Sequence, residues 1–238
     1  HLDINYGTKK LGLFSSFSRN QFGDLRMGNQ RLHGYEDYGK IAQYIGTTGT
    51  EDKLMNNPDP NVHINSGYTQ YDFLQKLVFK ASENLELGAN FQYSNSTNIN
   101  RYDRLTERND NDTLKFAEWY YGPQQRILAS ANAKINGKKW FDLNTTTVAF
   151  QRIDEDRYQR NFGELDRTIR QEDVKVYSFN SDFSKLIGDS IQLFYGLEFT
   201  HNDVQSKAND YNILTGETVN SQSRYPDGGS SMTTFAGY

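Results

Sequence analysis

Four histidines, His1, His33, His63 and His201, are the side chains best suited to hold a metal or move a proton near neutral pH. None stands at His-x-His or His-x-x-x-His spacing, so no zinc site is legible. The chain has no cysteine, which excludes disulfides, thiolate ligation and a Cys nucleophile. His33 and His63 fall in a long polar segment, where a histidine either ligates haem iron or is a solvated loop residue. His201 stands at the upper end of a strand. Asn109-Asp110-Asn111-Asp112 alternates carboxylates as calcium loops do, yet lacks the Gly and the distant Glu of an EF-hand. It reads as a polar loop. Asp154-Glu155-Asp156 reads as a solvated charge run at a strand-to-loop edge. No nucleophile elbow, P-loop or dinucleotide fingerprint is present, so the chain is not expected to be an enzyme.

Three segments mix aromatics with charge: Arg101-Tyr102-Asp103-Arg104-Leu105, Ala117-Glu118-Trp119-Tyr120-Tyr121-Gly122-Pro123-Gln124, and Arg224-Tyr225-Pro226-Asp227-Gly228-Gly229. Tyr, Trp and Arg are favoured at binding hot spots. The candidate ligand-contact residues are therefore Arg101, Tyr102, Asp103, Arg104, Glu118, Trp119, Tyr120 and Tyr121. The competing reading is that these segments knit long loops together, with Trp119 to Tyr121 as an aromatic belt and Pro123 as a strand entry.

The frame that holds such segments is legible in composition. The 238 residues carry 26 basic and 30 acidic side chains, a net charge of −4. That excludes the strongly basic surface of a non-specific nucleic-acid binder. Hydrophobic content is only 35%, yet 16 Tyr, 15 Phe and 2 Trp are present. A disordered chain is poor in aromatics; a sheet with one wet and one apolar face is not. No run approaches the 18 or more apolar residues of a transmembrane helix.

Period-two alternation dominates. Leu85, Leu87, Ala89, Phe91 and Tyr93 alternate with polar residues. So do Ile127, Ala129, Ala131, Ala133 and Ile135, and Ile191, Leu193, Tyr195, Leu197 and Phe199. Tyr71, Phe73, Leu77, Phe79 and Ala81 share a face opposite Gln70, Asp72, Lys76 and Lys80. This is the half-buried strand signal. Tight turns are expected at Gly7–Lys10, Ser82–Asn84, Asn136–Lys139 and Gly188–Ser190. Long polar connections are expected at roughly 23–67, 98–122, 156–172 and 206–230. Short and long connections alternate, so an up-and-down meander places all turns at one end and all loops at the other. Outer-membrane barrels have that asymmetry, with apolar residues toward lipid. A soluble sandwich or lipocalin-like barrel also alternates. The fold expected is all-β: an antiparallel up-and-down transmembrane β-barrel domain over 1–238, partial, with about 8–9 strands. Phe235-Ala236-Gly237-Tyr238 reads as a strand cut off in mid-course, so the chain is expected to be a piece of something longer.

At Arg101-Tyr102-Asp103-Arg104-Leu105, Glu118-Trp119-Tyr120-Tyr121-Gly122-Pro123-Gln124-Gln125-Arg126, Arg224-Tyr225-Pro226-Asp227 and Phe22-Gly23-Asp24-Leu25-Arg26, the sequence resembles TonB-dependent outer-membrane receptors. The likeness is to the haem/haemoglobin–transferrin–lactoferrin type of Gram-negative bacteria. The resemblance implies a 22-stranded barrel around an N-terminal plug, here without the plug and the later strands. It implies energised import of a scarce nutrient, most simply haem or an iron complex, carried as cargo with no intrinsic cofactor. The partners implied are outer-membrane lipid, the TonB–ExbB–ExbD system acting through the plug, and a surface lipoprotein. Asp72, Lys76, Gln92 and Asn132 would face the plug. The haem-contact motifs of that receptor type, Tyr-Arg-Ala-Pro and Asn-Pro-Asn-Leu, do not occur, so no axial ligand carries over to His33 or His63. The alternative function is a β-barrel or soluble β-domain that serves binding, adhesion or a larger complex without transport.

Overall fold

The computed structural model describes residues 1–137, 139–225 and 229–238. Its strands are β1 (Leu2–Gly7), β2 (Leu11–Phe22), β3 (Leu25–Arg26), β4 (Gln43–Thr48), β5 (Glu51–Asn56), β6 (Val62–His63), β7 (Tyr68–Ser82), β8 (Leu85–Ser96), β9 (Ile99–Asn100), β10 (Phe116–Tyr121), β11 (Gln125–Asn136), β12 (Leu143–Asn161), β13 (Asp166–Ile187), β14 (Ile191–Asn212), β15 (Thr218–Asn220) and β16 (Gly229–Gly237). One short helix, α1 (Tyr102–Leu105), lies between β9 and β10. Among the described residues no helix is long and apolar enough to cross a membrane.

The strands form a 12-stranded antiparallel sheet in the order β1-β2-β7-β8-β11-β12-β13-β14, with β15 and β16 both pairing to β14 and β9–β10 extending the sheet above β8 and β11. Every neighbour on this path is the next long strand in the chain, so the sheet is the expected meander. It is not closed. The turns at Gly7–Lys10, Ser82–Asn84 and Gly188–Ser190 join strands at one end, as their Gly, Asn, Asp and Ser content dictates. Of the turn expected at Asn136–Lys139, Lys138 lies outside the described residues.

One expected loop is absent. Residues 156–161 and 166–172 belong to β12 and β13, which are joined only by Phe162–Leu165. Charge density reads as loop in sequence, but here alternating charges pair across strands. Likewise β14 continues to Asn212, shortening the loop expected at 206–230.

Register places chemistry on faces. From Tyr6 a single row of direct partners runs through Leu13, Leu77, Ala89, Ala131, Val148, Phe179 and Phe199 to Phe235. All nine are apolar or aromatic. Many are solvent-accessible, Val148 at 49% and Phe235 at 72%. Four residues nearer the loops, the row from Phe17 through Phe73, Tyr93 and Ile127 turns charged at Arg152, Lys175 and Asp203. Toward the turns, apolar character persists lowest on β13 and β14, down to the Ile187–Ile191 pair. The apolar band thus crosses the strands obliquely. The opposite face carries Asp72, Lys76, Gln92 and Asn132, paired in register with Ser94, Asn90, Leu74 and Gly88.

Polar side chains that interrupt the apolar band are hydrogen-bonded to one another. Ser15 donates to Gln75 at 2.6 Å, and Gln75 donates to the Phe14 carbonyl. Asn144 donates to Ser181 at 3.1 Å, and Thr146 lies 2.8 Å from Ser181. His201 Nδ1 lies 2.7 Å from the Thr233 hydroxyl, and Lys185 pairs with Asp142 at 2.6 Å.

Candidate functional site

The aromatic–charged segments meet at the loop end of the sheet. Asp103 occupies the first turn of α1 and Arg101 precedes it. Arg101 forks onto Asp103, Nε to Oδ1 at 2.8 Å and Nη2 to Oδ2 at 2.6 Å. The same guanidinium lies 4.9 Å from the Trp119 ring centre and 5.6 Å from that of Tyr121, and donates to the Tyr121 hydroxyl at 2.9 Å. A cation held by a carboxylate and two aromatic faces has its charged form favoured, and the Arg101 pKa is raised accordingly. Arg104 pairs with Glu107. Tyr102 sets its ring edge-on to His63, 5.1 Å between centres.

Glu118 and Tyr120 project from the other side of β10. Tyr120 stacks on Tyr158 at 4.7 Å and 10°. Burial raises the pKa of both phenols, and the carboxylate of Asp156 helps push Tyr158 up to about 12. Glu118 accepts from Arg160 Nε at 2.9 Å and pairs with Arg167 at 2.7 Å. Arg160, 1% exposed, also donates two bonds of 2.7 Å to the carboxylate of Asp52 in β5 and one to the Glu164 carbonyl. Burial pushes the Asp52 carboxyl up, but Arg160, the Gly163 amide and the Thr47 hydroxyl together hold it below the usual carboxylate range. The β4–β5 hairpin of the first loop is thereby clamped to the end of β12. Leu114 and Phe116, 2% and 5% exposed, form a small apolar core beside it. Gly122 ends β10 where a Cβ would lie 2.8 Å from the Tyr158 ring.

The eight candidate contact residues therefore sit together around α1 and β10, each bonded or stacked within the loop assembly. Sequence reading missed Arg160 and Arg167, which hold Glu118, and Asp52, which holds Arg160. Their signal was the run of arginines at Arg157, Arg160, Arg167 and Arg170 in segments taken for loop.

The remaining candidates scatter. His1 pairs with Asp3, and fully exposed His33 lies 3.1 Å from Glu36. His63 has its pKa lowered by burial, and its Nδ1 is buried without a partner among the described residues. No group of three His, Asp or Glu side chains suited to a metal occurs among the described residues. The Asn109 side chain is used up within its own turn, accepting from Asn111, Thr113 N and the Thr113 hydroxyl. Asp154-Glu155-Asp156 lies inside β12, not at its edge, and Arg152 bridges Asp154 and Asp173 at 2.9 and 2.7 Å. Arg224 binds Glu172 at 3.0 Å; Pro226, Asp227 and Gly228 of that segment lie outside the described residues. In the Phe22–Arg26 stretch, Phe22 stacks on Tyr68, Asp24 accepts from the Gly67 amide and Arg26 pairs with Asp59 at 2.6 Å. On the polar face Asp72 accepts from Ser94, Gln70 and Ser18 at 2.6, 2.9 and 3.2 Å, beside a cavity of about 490 Å³.

No family model, curated protein or solved structure matches the chain.

Proposed function

We propose that this chain forms part of the wall of an outer-membrane β-barrel of a Gram-negative bacterium. The protein it builds is a TonB-energised receptor that imports a large nutrient, a haem or iron complex.

The observation that carries the reading is the oblique apolar band with its polar side chains tied to one another. Water does not require such pairing, but hydrocarbon does, since an unpaired polar group there costs several kcal/mol. The dimensions agree. From Tyr177 to Ile187 on β13, ten steps at about 3.4 Å give roughly 34 Å. Tilted by about 45°, that is about 24 Å, the height of a barrel's apolar band. Above it the same face turns charged and the strands continue as sheet outside the bilayer. An obliquely crossed band is what tilted barrel strands present. Edge strands β1 and β16 cannot remain unpaired in lipid, so further strands complete the wall. The polar face around Asp72, Lys76, Gln92 and Asn132 would line the lumen and meet a plug.

Transport rather than catalysis suits a polar lumen face with no catalytic constellation motif. Cargo binding by the loops, followed by TonB–ExbB–ExbD action on the plug, is the mechanism; a surface lipoprotein would present the cargo. The test is uptake by cells. Cargo accumulation that stops when TonB is deleted or the proton gradient is collapsed supports import. Surface binding that persists, with no accumulation in either strain, would replace import by the binding or adhesion role. A protein that stays monodisperse without detergent would sink the membrane wall itself.

A further inference from the structure

A cavity of about 480 Å³ lies at the loop end between β4, the segment after β6, β9 and β10. We propose that it is a binding site for a neutral, hydroxyl-rich ligand, an oligosaccharide. The volume falls in the range of about 300–1,000 Å³ in which small-molecule sites occur. Its apolar wall is Ile45, Ile64, Leu105 and the buried ring of Phe116, suited to the C–H faces of sugar rings.

Its lining includes four polar side chains, Tyr44, Tyr120, Asn65 and Asn98, beside Thr47, whose hydroxyl is bonded to Asp52. None of these four side chains is hydrogen-bonded to another described residue. Asn100, by contrast, is held to the Asn65 carbonyl at 2.6 Å, which fixes the β9 side of the cavity against the first loop. A side-chain amide offers two donors and an acceptor, a phenol one of each. That set matches neighbouring sugar hydroxyls. The ligand is neutral because the one charged side chain in the wall among the described residues, Glu118, is already paired with Arg160 and Arg167. An anionic ligand finds no free cation there among the described residues, and a cationic one finds a carboxylate already compensated. The cavity lies beyond the apolar band, so this site does not rest on the membrane reading.

The chain has two tryptophans, and Trp119 is in the cavity wall. Trp140→Phe therefore leaves one reporter at the site. The purified protein, in detergent, is titrated with maltohexaose, cellohexaose, xylohexaose and mannohexaose, and separately with oligogalacturonate and haemin. The expected result is a saturable change in Trp119 emission with at least one neutral oligosaccharide. Tyr44→Phe and Asn98→Ala each weaken it about tenfold, as loss of one ligand hydrogen bond does. Both substitutions remove atoms that make no hydrogen bond to a described residue, and a thermal melt equal to the parent's shows that weakened binding is not unfolding. The proposal is overturned if no neutral oligosaccharide changes the emission, if the two variants respond like the parent, or if oligogalacturonate or haemin is the ligand the two substitutions abolish.

Discussion

Replacing Arg160 by Met isolates the clamp between the first loop and the sheet. The guanidinium makes two bonds to Asp52, one to Glu118 and one to the Glu164 carbonyl, with side-chain exposures of 0% for Arg160 and 2% for Asp52. In the variant Glu118 retains Arg167, so the loss falls on Asp52. Its carboxylate stays buried with only the Gly163 amide and the Thr47 hydroxyl. Breaking such a pair from one side costs about 3–5 kcal/mol. At about 1.4 kcal/mol per tenfold, opening of the β4–β5 hairpin rises by two to nearly four powers of ten. Besides its own ladder, the hairpin is held at its base by the Asn57 amide on the Ala42 carbonyl at 2.8 Å, and Gln43 receives one bond of 3.3 Å from Arg108. Amide hydrogen exchange resolved by peptide is the assay. Protection within Gln43–Asn56 should collapse, while β7, β8, β11 and the lower half of β12 exchange as in the parent. Asp52→Asn, which leaves Arg160 on Glu118, should cost less. Unchanged exchange in the hairpin, or loss spread equally over the long strands, would refute the reasoning. Because the Asp52 carboxyl is held below its ordinary value, its contribution is complete above about pH 4 and is lost as pH falls further.

Three other outcomes are expected. Leu77→Arg and Val148→Arg, in the middle of the apolar band, should each lower folding stability in lipid vesicles by about 2–4 kcal/mol, while Ser130→Lys on the opposite face should not; equal effects on both faces would contradict the assignment of faces. The His63 pKa is depressed by burial, so the folded state takes up its proton later than the unfolded one. Packing of His63 against Tyr102 is intact above about pH 6.5 and weakens as pH falls below it; proteolysis of the first loop should accelerate on acidification, and His63→Phe should abolish that acceleration. Gly122→Ala puts a Cβ against the Tyr158 ring and Asp156, and should cost about 1–3 kcal/mol in a thermal melt.

The meander was legible because its lower half obeys a local rule. Each of β7, β8, β11 and β14 alternates visibly, and Gly, Asn and Ser punctuate the turns, so period and connection order together gave the strand sequence. The upper halves of β12, β13 and β14 were not legible. There Arg152, Asp154, Asp156 and Lys175 break the apolar alternation, and only pairing across strands, which one sequence does not display, makes them sheet. The site shows the same division. Arg101, Trp119 and Tyr121 stood out as a composition anomaly within 21 residues of chain. The clamp between Asp52 and Arg160 spans 108 positions and left no local mark.

The polar pairs within the apolar band have a consequence for assembly. Short turns make hairpins of β1–β2, β7–β8, β11–β12 and β13–β14. The Ser15–Gln75 bond joins the first hairpin to the second; Asn144 and Thr146 with Ser181, and Asp142 with Lys185, join the third to the fourth; His201–Thr233 joins the fourth to β16. Each of these bonds runs between hairpins, although Thr146 also donates to Asn144 within β12. A single hairpin entering hydrocarbon would strand Gln75, Asn144 or His201 without its partner. On the membrane reading, neighbouring hairpins dock before or as they insert, and the sheet enters the bilayer as a growing unit, not strand by strand.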